Sequence, residues 1–422
     1  MGSDLSRLNA RGAVVRKKGR PRVRWTVFSG GLGLAEWKEF ELIRSHGSSW
    51  RQSLFLTLLT LLIAVGTVLG ETDERQVTKL ADGVYAIQHK IYSGNTTVII
   101  GDRQVFVVDS SFYPAYARED IAQIRQWTDK PVAYLLNTHF HEDHNNGNRA
   151  YMNAFPALTI IAQENTKRDM DLILPGNIKR RSKQFAATIA DYKQGKSTDG
   201  RLLTEKEYAA TVAAEKEGKD PDAVPLSEDE KKQRHEYVPF LEAADTDFKA
   251  MVYQPPTLTF IDKLDLDIGN REVQVKHLGR GHTPGDTVVY LPKEKVLVVG
   301  DLLVYPIPHV SYAGYPAEWV QTLHKTAELD ATTIVTGHGP VLHDKTYIYL
   351  VADLLQSAVD QVRARISQLG HPGFYPVDDV KGAVDLTPFR AKFAGDDKDL
   401  QADFDEQSDH LVELVFKEES LR

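Results

Sequence analysis

The run His139-Phe140-His141-Glu142-Asp143-His144 constrains this chain more than any other feature. It follows an apolar segment, Val132–Asn137, that reads as a buried strand. On an extended or looping backbone, residues two apart project to the same side, so His139 and His141 can converge on one ion. Asp143 and His144, beyond the bend, can face a second ion beside it. The chain has 422 residues, 14 histidines and no cysteine, which excludes thiolate ligands, a disulfide framework and a thiolate nucleophile. The imidazole and carboxylate donors that remain suit zinc, iron or manganese.

Three later positions repeat one local logic, a strand end followed by a polar turn that carries a ligand type. His282 lies in Gly279-Arg280-Gly281-His282-Thr283-Pro284-Gly285-Asp286. Asp301 follows Val296-Leu297-Val298-Val299-Gly300, and His338 lies in Thr336-Gly337-His338-Gly339-Pro340. Asp109 closes an earlier strand at 104–109. Each pattern alone is common in ordinary turns. Taken as an ordered set, His282, Asp301 and His338 are a far stronger signal.

That set resembles the metallo-β-lactamase-fold superfamily of metallohydrolases, over roughly residues 80–345. The resemblance implies an α/β fold, a four-layer αββα sandwich with two metals at one edge of the sheets. It implies that His139, His141 and His282 bind the first metal. Asp143, His144 and His338 would bind the second, Asp301 would bridge both, and Asp109 would support the metal loop rather than ligate. Without cysteine, the chain departs from the lactamases that place Cys in the second site. The His-x-His-x-Asp-His form is similar to the glyoxalase II and ribonuclease Z branches, and a subset of lactamases shares the paired Asp-His. Flavodiiron proteins place Glu where His141 stands.

The expected function is a dinuclear metal-dependent hydrolase with two Zn²⁺, or Fe or Mn in their place. A metal-bridging hydroxide, oriented by Asp143, would attack an ester, thioester, lactone or β-lactam carbonyl. The alternatives are a persulfide dioxygenase with one iron, and a phosphodiesterase. Tyr305 and His309, in the loop after Asp301, are candidate substrate contacts, and Arg280 a candidate attractor of anions. His277 reads as strand packing, and the other histidines have no ligand context.

The rest of the body alternates short β-branched runs with helical periods at 116–127, 317–329 and 347–369. Residues 165–256, rich in Lys, Glu, Asp and Ala, read as a helical insertion within a catalytic domain spanning 71–350, and are expected near the metal edge. Residues 351–422 read as a helical C-terminal extension. Ahead of the domain, residues 1–52 form a basic, aperiodic segment with eleven Lys/Arg against four Asp/Glu, expected to be disordered. Residues 53–70 carry no charge and read as the h-region of a signal peptide or a membrane anchor. Export to the periplasm or medium, or attachment to a membrane, follows as the expectation. From residue 71 onward there are 40 basic and 55 acidic side chains, a balance that speaks against nucleic-acid binding and for a small-molecule substrate.

Overall fold

A computed structural model describes residues 75–89, 93–193, 228–370 and 377–420. The basic segment, the uncharged stretch at 53–70 and part of the expected insertion lie outside these residues. No helix among the described residues is long and apolar enough to cross a membrane.

Two mixed sheets form the centre. The first holds β1 (Arg75–Ala81), β2 (Val84–His89), β3 (Thr96–Ile100), β4 (Val105–Val108), β5 (Val132–Asn137), β6 (Thr159–Gln163) and β7 (Leu258–Phe260), in that spatial order. β1 to β4 run as an antiparallel meander, and β4 to β7 pair in parallel. The second sheet comprises β8 (Lys263–Asp267), β9 (Glu272–Lys276), β10 (Val288–Leu291), β11 (Val296–Val298), β12 (Thr333–Val335) and β13 (Val341–Leu342), with β13 and β8 at its edges.

Side-chain parity on these strands builds the four layers. Phe106, Val108, Leu136 and Ile161 of the first sheet meet Val289, Leu291, Val296, Val298 and Val335 of the second in one buried cluster. Their neighbours one residue away, Val105, Val107, Leu135 and Ile160, turn outward onto helix α1 (Pro114–Trp127) and α2 (Asn148–Ala154). On the second sheet, Leu297, Val299 and Ile334 turn outward onto α5 (Pro316–Glu328) and α6 (Thr346–Leu369). Strands buried on both faces read as continuous apolar runs, which is why Val105–Val108 and Val288–Leu291 carry no polar alternation. The chain is thus an αββα sandwich.

Two long helices, α3 (Glu164–Lys193) and α4 (Glu228–Ala250), form the described part of the insertion and pack on each other and on Phe112, Tyr113 and Tyr116. After Gly370, whose φ of 87° gives α6 a left-handed end, come α7 (Val377–Lys381), α8 (Thr387–Ala394) and α9 (Lys398–Ser420). α6 runs unbroken across residues 350 and 351, and Phe393, Phe404, Leu411 and Val415 join the same core as α5 and α6. The C-terminal helices are therefore part of the outer layer on the second sheet.

Candidate metal centre

The ligand-type residues sit where strands end. β5 stops at Asn137, and the next seven residues fold back in a short 3₁₀ turn over Glu142–His144. Asn145 ties that turn down by donating from its amide to the carbonyls of Phe140 (3.0 Å) and His141 (2.5 Å). From the second sheet, His282 leaves the loop between β9 and β10, Asp301 follows β11 in a 3₁₀ turn, and His338 follows β12. All of these loops open on the same edge.

Two groups result. In one, His139 Nε2 and His282 Nε2 each lie 3.0 Å from His141 Nδ1, with Asp301 Oδ2 at 3.7 Å from His139 and 3.5 Å from His282. In the other, His144 Nε2 and His338 Nε2 are 3.2 Å apart, and Asp143 Oδ2 lies 3.5 and 3.0 Å from them. The second oxygen of Asp301, Oδ1, faces this group, at 3.2 Å from His144 and 3.6 Å from His338. One carboxylate thus presents an oxygen to each group. All seven residues read from the sequence meet here.

Imidazole nitrogens that converge this closely are poor hydrogen-bond partners for one another when both offer lone pairs, and fit a shared cation instead. Asp301 Oδ1 is buried with no hydrogen-bond donor among the described residues, another sign of a site shaped for a cation. The outer nitrogens are already committed. His144 Nδ1 donates to Asp109 Oδ2 at 2.8 Å, and His282 Nδ1 to the His309 carbonyl at 3.0 Å. Each such bond fixes the tautomer that leaves Nε2 bare. Asp109 is itself held by the backbone N–H and hydroxyl of Thr138, both at 2.8 Å.

The electrostatics differ between the groups. Burial, reinforced by the charge on His144, pushes His139 well below the usual histidine range, and burial brings His141 down to about 4. Burial likewise holds His282 well below that range. These three are neutral donors at neutral pH. Burial opposes protonation of His144 too, but Asp301, Asp143 and Asp109 outweigh it and lift its pKa well above the ordinary value. His338 is raised in the same way, burial losing to Asp301 and Asp143. Conversely, burial alone would raise Asp143 and Asp301, and the neighbouring histidines overcome it and keep both carboxylates ionised.

Tyr305 and His309 border the site without joining it. Tyr305 is 37% exposed, its ring rests on Tyr347 with centroids 5.1 Å apart, and its N–H donates to the His338 carbonyl. His309 is exposed, with its ring centroid 6.0 Å from that of His282. Arg280 pairs its guanidinium with Glu318 and stacks it over Tyr315 at 3.8 Å. His277, directly after β9, donates from Nδ1 to the Asp286 carbonyl at 2.8 Å.

Several supporting residues carry no ligand chemistry and escaped the sequence reading. Asn95 donates to the carbonyls of Thr336 and Gly339, both at 2.9 Å, and so brackets His338. Gly94 must lack a side chain, because a Cβ there would come within 2.2 Å of the His144 ring. Gly337 leaves room for Asp301 Oδ1, which a Cβ would meet at 1.9 Å. Ser311 places its hydroxyl 3.3 Å from His141 Nε2. The glycines flanking the histidine motifs were visible signals, whereas Asn95 and Ser311 had none.

The family model of the metallo-beta-lactamase superfamily matches residues 90–338, more than half of the chain. The chain belongs to that superfamily. It is 25% identical over 298 residues to a linear primary-alkylsulfatase of a Pseudomonas species, covering 68% of this chain and 49% of that one. It is 30% identical over 111 residues to a metallo-beta-lactamase type 2 of Elizabethkingia meningoseptica, covering 25% of this chain and 44% of the other. The chain thus spans about half the length, or less, of these relatives. Among solved structures, DIM-1 metallo-beta-lactamase matches with a TM-score of 0.43 and 16% identity, over 68% of this chain and all of that one. The metallo-beta-lactamase from Pontibacter korlensis matches with a TM-score of 0.43 and 17% identity, over 67% and 99%.

Proposed function

We propose that the chain is a dinuclear metal-dependent hydrolase, with His139, His141 and His282 as ligands to one ion, Asp143, His144 and His338 to the other, and Asp301 to both. The observation that carries this reading is the split of Asp301, one oxygen toward each group. The donor set, nitrogen and carboxylate without thiolate, suits zinc and equally admits iron or manganese. Cations held by these residues would supply Lewis-acid chemistry, acidifying a water toward neutral pH and polarising an electrophilic oxygen.

The residues themselves supply orientation. Asp143 stays ionised in the buried site and accepts the hydrogen bond of the attacking water, aiming it at the substrate. Asp109 keeps His144 in one tautomer, and the His309 carbonyl does the same for His282. Tyr305 and His309, which border the site, are the candidate contacts for what the water attacks. No serine or lysine nucleophile is required.

The favoured substrates are carbonyl centres, an ester, thioester, lactone or β-lactam, because the body from residue 71 onward is acidic, with 55 acidic against 40 basic side chains. A sulfate ester is the second reading, favoured by the alkylsulfatase relative that aligns with 68% of this chain. The persulfide dioxygenase alternative predicts one iron. A metal assay paired with a screen of a β-lactam, a lactone, a thioester, a phosphodiester and a primary alkyl sulfate tests these readings together. Two zinc ions and hydrolysis of at least one substrate support the proposal; a single iron with oxygen consumption would replace it.

A further inference from the structure

Glu142 lies between two ligands that serve different groups. His141, before it, turns to the His139–His282 group, and Asp143, after it, turns to the His144–His338 group. Any displacement of residue 142 therefore moves one ligand of each group. Glu142 is only 6% exposed, and a carboxylate so deeply buried needs a partner. Its partner is not in the sandwich. Arg181, on α3 of the insertion and 4% exposed, donates from Nε to Glu142 Oε1 at 2.6 Å, and its Nη2 contacts the same oxygen.

Arg181 occupies a core position of its helix. Met170, Leu174, Phe185, Ile189 and Tyr192 mark the buried stripe of α3, and Arg181 falls on it four residues before Phe185. Its guanidinium also lies 5.5 Å from the centroid of the Phe112 ring. Phe112 belongs to the loop after β4, where the Ser110 N–H donates to the His144 carbonyl at 2.8 Å. One side chain of the insertion therefore grips both loops that hold the metal turn.

From this geometry we infer that Arg181 is a positioning residue: through Glu142 it fixes the turn that delivers His141 and Asp143, so the helical insertion helps retain the metals. The inference rests on the two groups being metal sites and extends that reading to a residue about forty positions downstream. A ligand-supporting contact of this kind is worth roughly 10–100-fold in metal affinity. Arg181→Ala strands a buried carboxylate, whereas pairing Arg181→Met with Glu142→Gln removes both charges and the strain of an unpaired one.

The test measures zinc affinity of the full chain by competition with a chromophoric chelator, and the visible spectrum after cobalt substitution, which reports ligand geometry. Arg181→Ala should weaken zinc about tenfold or more and alter the cobalt bands, and the Arg181→Met/Glu142→Gln pair should recover most of the loss. Arg181→Lys keeps the charge but not the fork and should fall between. If Arg181→Ala does not fold, Arg181→Lys carries the test alone. Variants that lose thermal stability yet keep native zinc affinity and native cobalt bands would overturn the inference. A native chain that binds none of zinc, iron and manganese would instead overturn the metal-site reading itself.

Discussion

At the residue scale, the site depends on which nitrogen of each imidazole is bare. Asp109 decides this for His144, so Asp109→Ala should lower metal affinity by roughly 10–100-fold while the sheets persist, measured by chelator competition beside far-UV circular dichroism. Asp143→Ala should cut turnover by roughly 10²–10⁴-fold on whichever substrate the screen yields, with the fold unchanged. The two groups also titrate differently. Asp301 and Asp143 raise the pKa values of His144 and His338, so both hold protons more tightly than free imidazoles and must give them up to bind a cation. Lowering the pH from about 7.5 to 5.5 should therefore weaken metal binding, and calorimetry in buffers of different ionisation enthalpy should register proton release on uptake. Uptake without proton release would contradict the assigned charge states. The seven ligand types were legible in the sequence because their chemistry is written in the side chain. Asn95, Ser311 and Arg181 were not, since each acts through a partner 170 or more positions away, or 39 for Arg181 and Glu142.

At the element scale, strands buried on both faces announced themselves by unbroken β-branched runs, and the long periodic helices by their spacing. The periods read at 116–127, 317–329 and 347–369 each fall within one residue or two of α1, α5 and α6. What the sequence hid were elements whose stability comes from neighbours. β8, Lys-Leu-Asp-Leu-Asp, is a mostly exposed edge strand held by its pairing with β9, and β13 has only two residues. α2 begins inside the polar run after His144, where Asn148 bonds to Ser110 and Asn137 rather than to solvent. The outer layer on the second sheet also exceeded expectation, because α9 shares its core with α6. Leu355 of α6, fully buried in that shared core, makes a direct test: Leu355→Ala should cost about 2–5 kcal/mol in urea unfolding, and a loss below 1 kcal/mol would mean that the core is loosely packed there.

At the scale of the whole molecule, the two sheets each deliver part of one site. The first sends His139, His141, Asp143 and His144 from the end of β5, and the second sends His282, Asp301 and His338 from the ends of β9, β11 and β12. A bound cation then links the halves of the sandwich across their shared edge and stabilises the folded chain by mass action, about 2.7 kcal/mol at a free concentration 100 times Kd. Exhaustive chelation should accordingly lower the melting temperature, and added zinc should restore it. The most direct measurement is anomalous scattering at the zinc edge from crystals of the zinc-loaded chain. Two peaks about 3.5–4 Å apart are predicted, one among His139, His141 and His282, the other among Asp143, His144 and His338, with an oxygen of Asp301 against each. A single peak, or zinc bound away from Asp301, would contradict the account.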